Sequence, residues 1–220
     1  MMTTMAVRFL KNITQKKTRF SLHCHFCNSS DADGMEFDRK RAPQSNEFYA
    51  SEATQRKYYY VIDTRGHLFL ESTKVRTPFT CLKDVKFLNF FYKHLQRVPA
   101  GLSSEYPLVS FCGKETSFVM PEDSKSVVVY SSFDWTSGHL FYGCGTTPIS
   151  FDPNLLCWSR QTLRLYHPLT QHPRLVNELG LIHPTLAQKI ANSIVWSDEI
   201  DGGIPFIIWD NRKIDLKVID

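Results

Sequence analysis

Cys112 stands directly before Gly113-Lys114-Glu115, and His167 directly before Pro168. A thiol beside a lysine ammonium has a route to a lowered pKa, and so to a nucleophilic or redox-sensitive thiolate. Cysteine catalysis needs an imidazole within hydrogen-bond reach. His167, at the end of an expected strand, is the candidate general base, with Glu115 as the orienting carboxylate. The same residues also have a structural reading. Tyr166-His167-Pro168 is then a rigid strand exit with the imidazole on a backbone carbonyl, and Cys112 a small buried hydrophobe.

Metal chemistry is less well spelled. His23-Cys24-His25-Phe26-Cys27 has zinc-type ligands, but no second ligand pair follows at a suitable spacing. His167, His172 and His183, with Glu115 or Glu178, offer imidazole and carboxylate, yet their spacings of five and eleven fit no defined motif. No metal site is expected, and no cofactor is named by the pattern. Gly143-Cys144-Gly145-Thr146-Thr147 lacks the lysine and the length of a phosphate-cradling loop and reads as a tight turn. No serine nucleophile elbow is present.

Elements that would position these groups follow from the patterning. Tyr58–Ile62, Asp63-Thr64-Arg65-Gly66 and His67–Leu70 read as a hairpin closed by a turn with Gly at its φ > 0 position. Asp84 is an expected N-cap, and Val85, Leu88, Phe91, Tyr92 and Leu95 form an apolar stripe that predicts a helix over 84–97. Strand candidates then recur about every ten residues through Phe151, predicting an antiparallel meander. The stripe Ile182, Leu186, Ile190, Ile194 predicts a helix over 184–193, with period-two alternation as the competing reading. Ile204–Trp209 and Ile214–Val218 form a closing hairpin around Asp210-Asn211-Arg212.

The charge is uneven. Residues 1–30 hold Arg8, Lys11, Lys16, Lys17 and Arg19 and no acid, a charge of +5, while the other 190 residues carry −1. A nearly neutral body argues against nucleic acid, whose phosphates need a basic face, and leaves room only for a local basic patch, so no nucleic-acid partner is expected. Met5, Phe9 and Ile13 recur every four residues within this acid-free start. The combination reads as a mitochondrial transit peptide, against the plainer reading of a basic disordered tail. Residues 31–55, with scattered Asp, Pro, Ser and Asn, read as a disordered linker, and 56–220 as one α+β domain or two packed halves. Ordered structure is expected to begin near Phe48–Lys57. No apolar stretch approaches the length of a membrane-spanning helix.

Several short motifs taken together resemble a known family. They are Tyr60-Val61-Ile62-Asp63, Gly66, Leu68-Phe69-Leu70, Thr80-Cys81-Leu82-Lys83-Asp84, Cys112-Gly113-Lys114-Glu115, Phe151-Asp152-Pro153 and Tyr166-His167-Pro168. The chain from about Tyr58 to at least Leu181 resembles uncharacterised protein family 0598. The resemblance implies a mitochondrial address and no assigned reaction. One departure is that Gly143 separates Tyr142 from Cys144, where that family places its cysteine directly after the tyrosine. The order of hairpin, helix and meander is also similar to a bacterial family of unknown function, number 1285. That similarity implies an α+β fold of related sheet-and-helix halves with a groove between them.

The expectation is therefore an α+β protein of the mitochondrial matrix, with one main amphipathic helix on an antiparallel sheet. Cys81, Cys112, Cys144 and Cys157 would be reduced thiols there. The leading function is a module binding a small molecule or a protein. Asp63, Arg65, Cys112, Glu115, Tyr142, Tyr166 and His167 would line its groove, since all stand at expected strand ends or turns. The alternative is a cysteine-dependent enzyme using Cys112 and His167.

Overall fold

The computed structural model describes residues 42–102, 105–191, 194–195 and 205–219. The basic N-terminal segment, the cluster at 23–27 and the linker as far as residue 41 lie outside the described residues. The last part of the expected linker forms helix α1, Asn46–Thr54, in which the Ser45 hydroxyl caps the helix by accepting the Phe48 N–H at 3.2 Å.

Strand β1 (Lys57–Ile62) turns at Asp63–Gly66 into β2 (Leu68–Leu70). Helix α2 (Val85–Lys93) follows, capped by Asp84, whose carboxylate accepts the Phe87 N–H at 2.7 Å. The expected helix runs to 97, but α2 stops at Lys93 and residues Leu95–Arg97 form β3. Leu95 continues the helical stripe of Leu88 and Phe91 and equally suits a strand. The strand prevails because Leu95–Arg97 pairs antiparallel with β4 (Leu108–Cys112) while Leu95 stays buried. Strand β5 (Glu115–Pro121) completes a sheet in the order β2-β1-β5-β4-β3, with β1 and β5 parallel.

The chain then runs through β6 (Val128–Asp134), β7 (His139–Tyr142), β8 (Pro148–Ser150), one 3-10 turn at Pro153–Leu155, β9 (Cys157–Ser159), β10 (Leu165–Pro168) and β11 (Leu179–Ile182). Helix α3 covers Pro184–Ala191, as the apolar stripe predicts. A small sheet of β12 (Ile194–Val195), β13 (Phe206–Trp209) and β14 (Arg212–Asp215) follows. β13 and β14 turn through Asp210 and Asn211, both at positive φ, which matches a tight primed hairpin turn. The expected second arm does not stay in that hairpin. It leaves at Leu216, and β15 (Lys217–Ile219) pairs parallel with β9.

Two halves share one strand order. β2-β1-β5-β4-β3 in the first sheet corresponds to β7-β6-β11-β10-β9 in the second, with the parallel pair, β1–β5 or β6–β11, in the same place. Each half opens with a hairpin whose turn starts at an aspartate and runs into the same four residues: Gly66-His67-Leu68-Phe69 and Gly138-His139-Leu140-Phe141. The sheets are therefore mixed. Chain neighbours pair antiparallel, as strand spacing predicts, while the parallel contacts join strands far apart in sequence.

One continuous core holds both sheets. It includes Tyr60, Ile62, Leu88 and Phe91 from the first half and Val129, Tyr130, Tyr142 and Leu181 from the second. The opposite face of the first sheet (Tyr59, Val61, Val109, Phe118) is covered by Phe48 and Tyr49 of α1.

Candidate functional site

The β1–β2 turn is built around one carboxylate. Asp63 Oδ1 accepts the backbone N–H of Arg65 at 3.0 Å and of His67 at 2.7 Å, while Oδ2 lies 3.0 Å from His67 Nδ1. The carboxylate thus closes the turn and orients an imidazole at once. Nδ1 carries a proton toward Asp63, and Nε2 is directed away from it. Arg65 is exposed, with no ion pair among the described residues.

His183 faces this turn from the start of α3. Its carbonyl accepts the N–H groups of Leu186 and Ala187, and its Nδ1 accepts that of Thr185 at 3.2 Å. Burial lowers the His183 pKa, the nearby His67 and Arg65 lower it further, and Asp63 opposes them. The cap is thus held by a neutral imidazole.

Beside these groups opens a cleft of about 330 Å³. Trp158, Leu165, Leu181, Ile182 and Ala187 give it apolar walls, and Thr64 brings the β1–β2 turn to its edge. Arg164 lines it while its Nη1 donates to Asp123 Oδ2 at 2.8 Å, and Tyr166 donates to the same oxygen at 3.1 Å. Asp123 is 2% exposed, so this wall rests on a buried ion pair. Leu163, at the mouth, is 73% exposed and sits at φ 54°, a left-handed backbone position uncommon for leucine.

A second turn packs against the first from the other side. Cys144 lies between Gly143 and Gly145 at φ 56°, and its thiol approaches the Gly66 carbonyl at 3.8 Å. Gly143 N–H donates to Val129 O at 3.1 Å. Asn89 clamps the turn with both ends of its amide, donating to Thr146 Oγ1 and accepting from Thr146 N, each at 2.8 Å.

The residues expected to line one groove are spread out. Asp63 and Arg65 flank Thr64 at the edge of the cleft, and Tyr166 stands behind the cleft wall on Asp123. Tyr142 is buried among Tyr92, Tyr130 and His172, its phenol pushed up to about 12 by burial. Cys112 and Glu115 face each other across the β4–β5 turn. The Cys112 thiol lies 3.5 Å from Ser110 Oγ, which itself donates to Phe91 O, so the thiol is the donor. Burial pushes its pKa up, against the lowering that Lys114 alone would give. His167 is fully buried on the other sheet. Its Nε2 accepts the Asp152 N–H at 3.1 Å and its Nδ1 donates to Pro168 O at 2.9 Å. Both ring nitrogens are thereby occupied by backbone, and Cys112 and His167 are not hydrogen-bond partners. Among the described residues, no group of three or more His, Cys, Asp or Glu side chains is arranged to hold a metal ion.

Trp158 escaped the sequence reading, while His67 entered it only as the start of a strand, His183 only as a metal-ligand candidate and Cys144 only as a reduced thiol in a turn. The recurrence of Gly-His-Leu-Phe marks His67, because the two copies differ in their acid. Asp63 holds His67, whereas Asp134 instead accepts Ser137 Oγ at 2.6 Å.

The fold is similar to two crystal structures of DUF1285 family proteins. The one from Shewanella baltica OS155 is 15% identical over 61% of this chain and 91% of that chain, with a TM-score of 0.40. The one from Silicibacter pomeroyi DSS-3 is 12% identical over 86% and 97%, with a TM-score of 0.42. At that level neither carries an argument about this chain. Sequence comparison is decisive over residues 48–219, which run from within α1 to the end of β15. The chain belongs to the family defined by the domain of unknown function DUF4505.

Proposed function

We propose that the protein is a binding module for a small amphipathic acid. The observation that carries this reading is the cleft between the β1–β2 turn, β9–β11 and α3. Its volume falls at the lower end of the roughly 300–1,000 Å³ that holds small molecules, and its walls are mainly apolar with a few polar groups at one edge. The apolar body of the ligand lies against Trp158, Leu181 and Ala187. Its acidic group points to Arg65 and His183, which stand beside the lining residues Thr64 and Pro184. Arg65 supplies a charge-assisted hydrogen bond without breaking an existing ion pair.

Binding of decanoate, decanol and decyltrimethylammonium to the full chain, followed by quenching of tryptophan fluorescence, tests the reading. Decanoate binds tightest, decanol more weakly and the cation weakest. Equal affinity for all three removes the acid from the proposal, and no binding of any removes the cleft.

The matrix address rests on the basic, acid-free, amphipathic residues 1–30. The finer assignment to uncharacterised protein family 0598 rests on the motifs from Tyr60 to Pro168. A fusion of residues 1–30 to a fluorescent protein is imported into mitochondria, and replacing its five basic residues with glutamate leaves it in the cytosol. Cytosolic fluorescence from the unmodified fusion contradicts the address.

A further inference from the structure

Cys144 and Cys81 come to the same hairpin from two different loops. The Cys144 thiol lies 3.8 Å from the Gly66 carbonyl, at the end of the β1–β2 turn. Two residues further on, the Leu68 carbonyl accepts the N–H of Leu82, the residue after Cys81, at 2.9 Å. Both loops thus anchor to the same short stretch of the hairpin, two residues apart. Cys144 is exposed and Cys81 half-buried, so an oxidant reaches both. The two thiols also sense each other electrostatically, since Cys81 raises the Cys144 pKa next after burial, followed by Asp63, with Ser131 opposing.

The other described cysteines sit elsewhere. Cys112 is on β4 beside Ser110, and the Cys157 thiol is bonded to Leu155 O at 3.3 Å. The turn holding Cys144 is rigid through Asn89, Gly143 and Gly145, whereas the segment 71–83 leading to Cys81 has no helix or strand. Closing the remaining distance therefore falls to the Cys81 loop.

We infer that Cys81 and Cys144 form a redox-responsive dithiol that a peroxide converts to a disulfide across the β1–β2 hairpin. The thiolate fraction of Cys144, the more exposed of the two thiols but held small by burial, attacks one peroxide oxygen slowly and displaces hydroxide, giving a sulfenic acid. The Cys81 thiolate then attacks that sulfur and displaces its hydroxyl group. The net change removes two thiol protons and two electrons, and hydrogen peroxide becomes two waters. The bond would tie the Cys81 loop and the Cys144 turn to the hairpin whose Thr64 edges the cleft.

The experiment treats the folded full chain with hydrogen peroxide and maps its peptides without reduction. A Cys81–Cys144 linked peptide is expected as the main product. Cys81→Ser stops the reaction at the Cys144 sulfenic acid, captured by dimedone, and Cys144→Ser removes the linked species. A parallel sample in urea controls for random pairing and gives mixed linkages. The inference is overturned if the native wild type carries Cys144 to the sulfinic acid without linkage to Cys81, or if linkages to Cys112 or Cys157 are equally abundant.

Discussion

A Cβ placed on residue 143 would run into Tyr92 Cε2, on a fully buried ring. Gly143 also sits at φ +59°, where an L side chain is strained in any surroundings. This close approach packs the Cys144 turn directly against α2. Tyr92 cannot yield, because its ring packs edge-on against Tyr142 and Phe91. Gly143→Ala therefore costs about 3 kcal/mol or more, combining overpacking with backbone strain. Urea unfolding reads it as a fall in midpoint. A change under about 0.5 kcal/mol would show that the turn adjusts freely.

The buried Asp123 holds Arg164 and Tyr166 behind the cleft wall. Asp123→Ala takes the shared buried carboxylate from Arg164 and Tyr166 and costs about 3 kcal/mol. It also weakens decanoate binding, since the ion pair behind the cleft wall is lost. Arg164→Met, which keeps length but leaves the buried Asp123 carboxylate without this cation, costs at least as much. Calorimetry and urea titration of the two variants check the order, and the reverse order contradicts the buried-pair account.

Two buried histidines set the acid limit of stability. Burial lowers the pKa of His167 and of His172 below the usual 6.5. His172 Nε2 donates to Tyr92 O at 2.8 Å, and its Nδ1 accepts from Leu175 N at 3.0 Å, so each site wants a neutral ring. Between the folded and unfolded pKa values the unfolded chain binds more protons, so stability increases with pH in that window. Stability is therefore complete above about pH 6.5 and falls as pH drops below it toward the folded values. Urea midpoints at pH 7.5, 6.5 and 5.5 trace the fall. A flat profile from 7.5 to 5.5 would mean that the imidazoles titrate normally in the fold.

Cys112 is a donor to Ser110, and its pKa is raised by burial and by Glu115. Its alkylation by iodoacetamide at pH 7 is at least about tenfold slower than that of a free peptide thiol, because thiolate is the reacting species. Fast alkylation at Cys112 would return it to the nucleophile role.

Much of this was legible in the sequence, and the reasons for the rest are physical. Asp84 and the stripe from Val85 to Tyr92 announced α2, and Asp63 to Gly66 announced the turn, because caps and turns are local chemistry. The end of α2 was not legible, since Leu95 suits a helix stripe and a strand ladder equally and only its pairing with Ser110 decides. Parallel pairs such as Tyr60 with Val119 leave no periodic trace in either strand. The cleft edge unites Thr64 with Pro184 and Trp158, more than ninety residues away, which no spacing rule reaches. His167 was conspicuous beside Pro168, yet its chemistry is fixed by the Asp152 N–H, a tertiary contact.

The central claim is that the cleft binds an acid through its apolar walls and Arg65. Isothermal titration of decanoate into wild type, Ala187→Phe and Arg65→Ala tests it most directly. Ala187→Phe fills the space beside Leu181 and Trp158 and weakens binding by at least about tenfold, or 1.4 kcal/mol. Arg65→Ala weakens decanoate by a similar factor and leaves decanol unchanged. Decanoate affinity equal in all three proteins would place the ligand elsewhere and contradict the account.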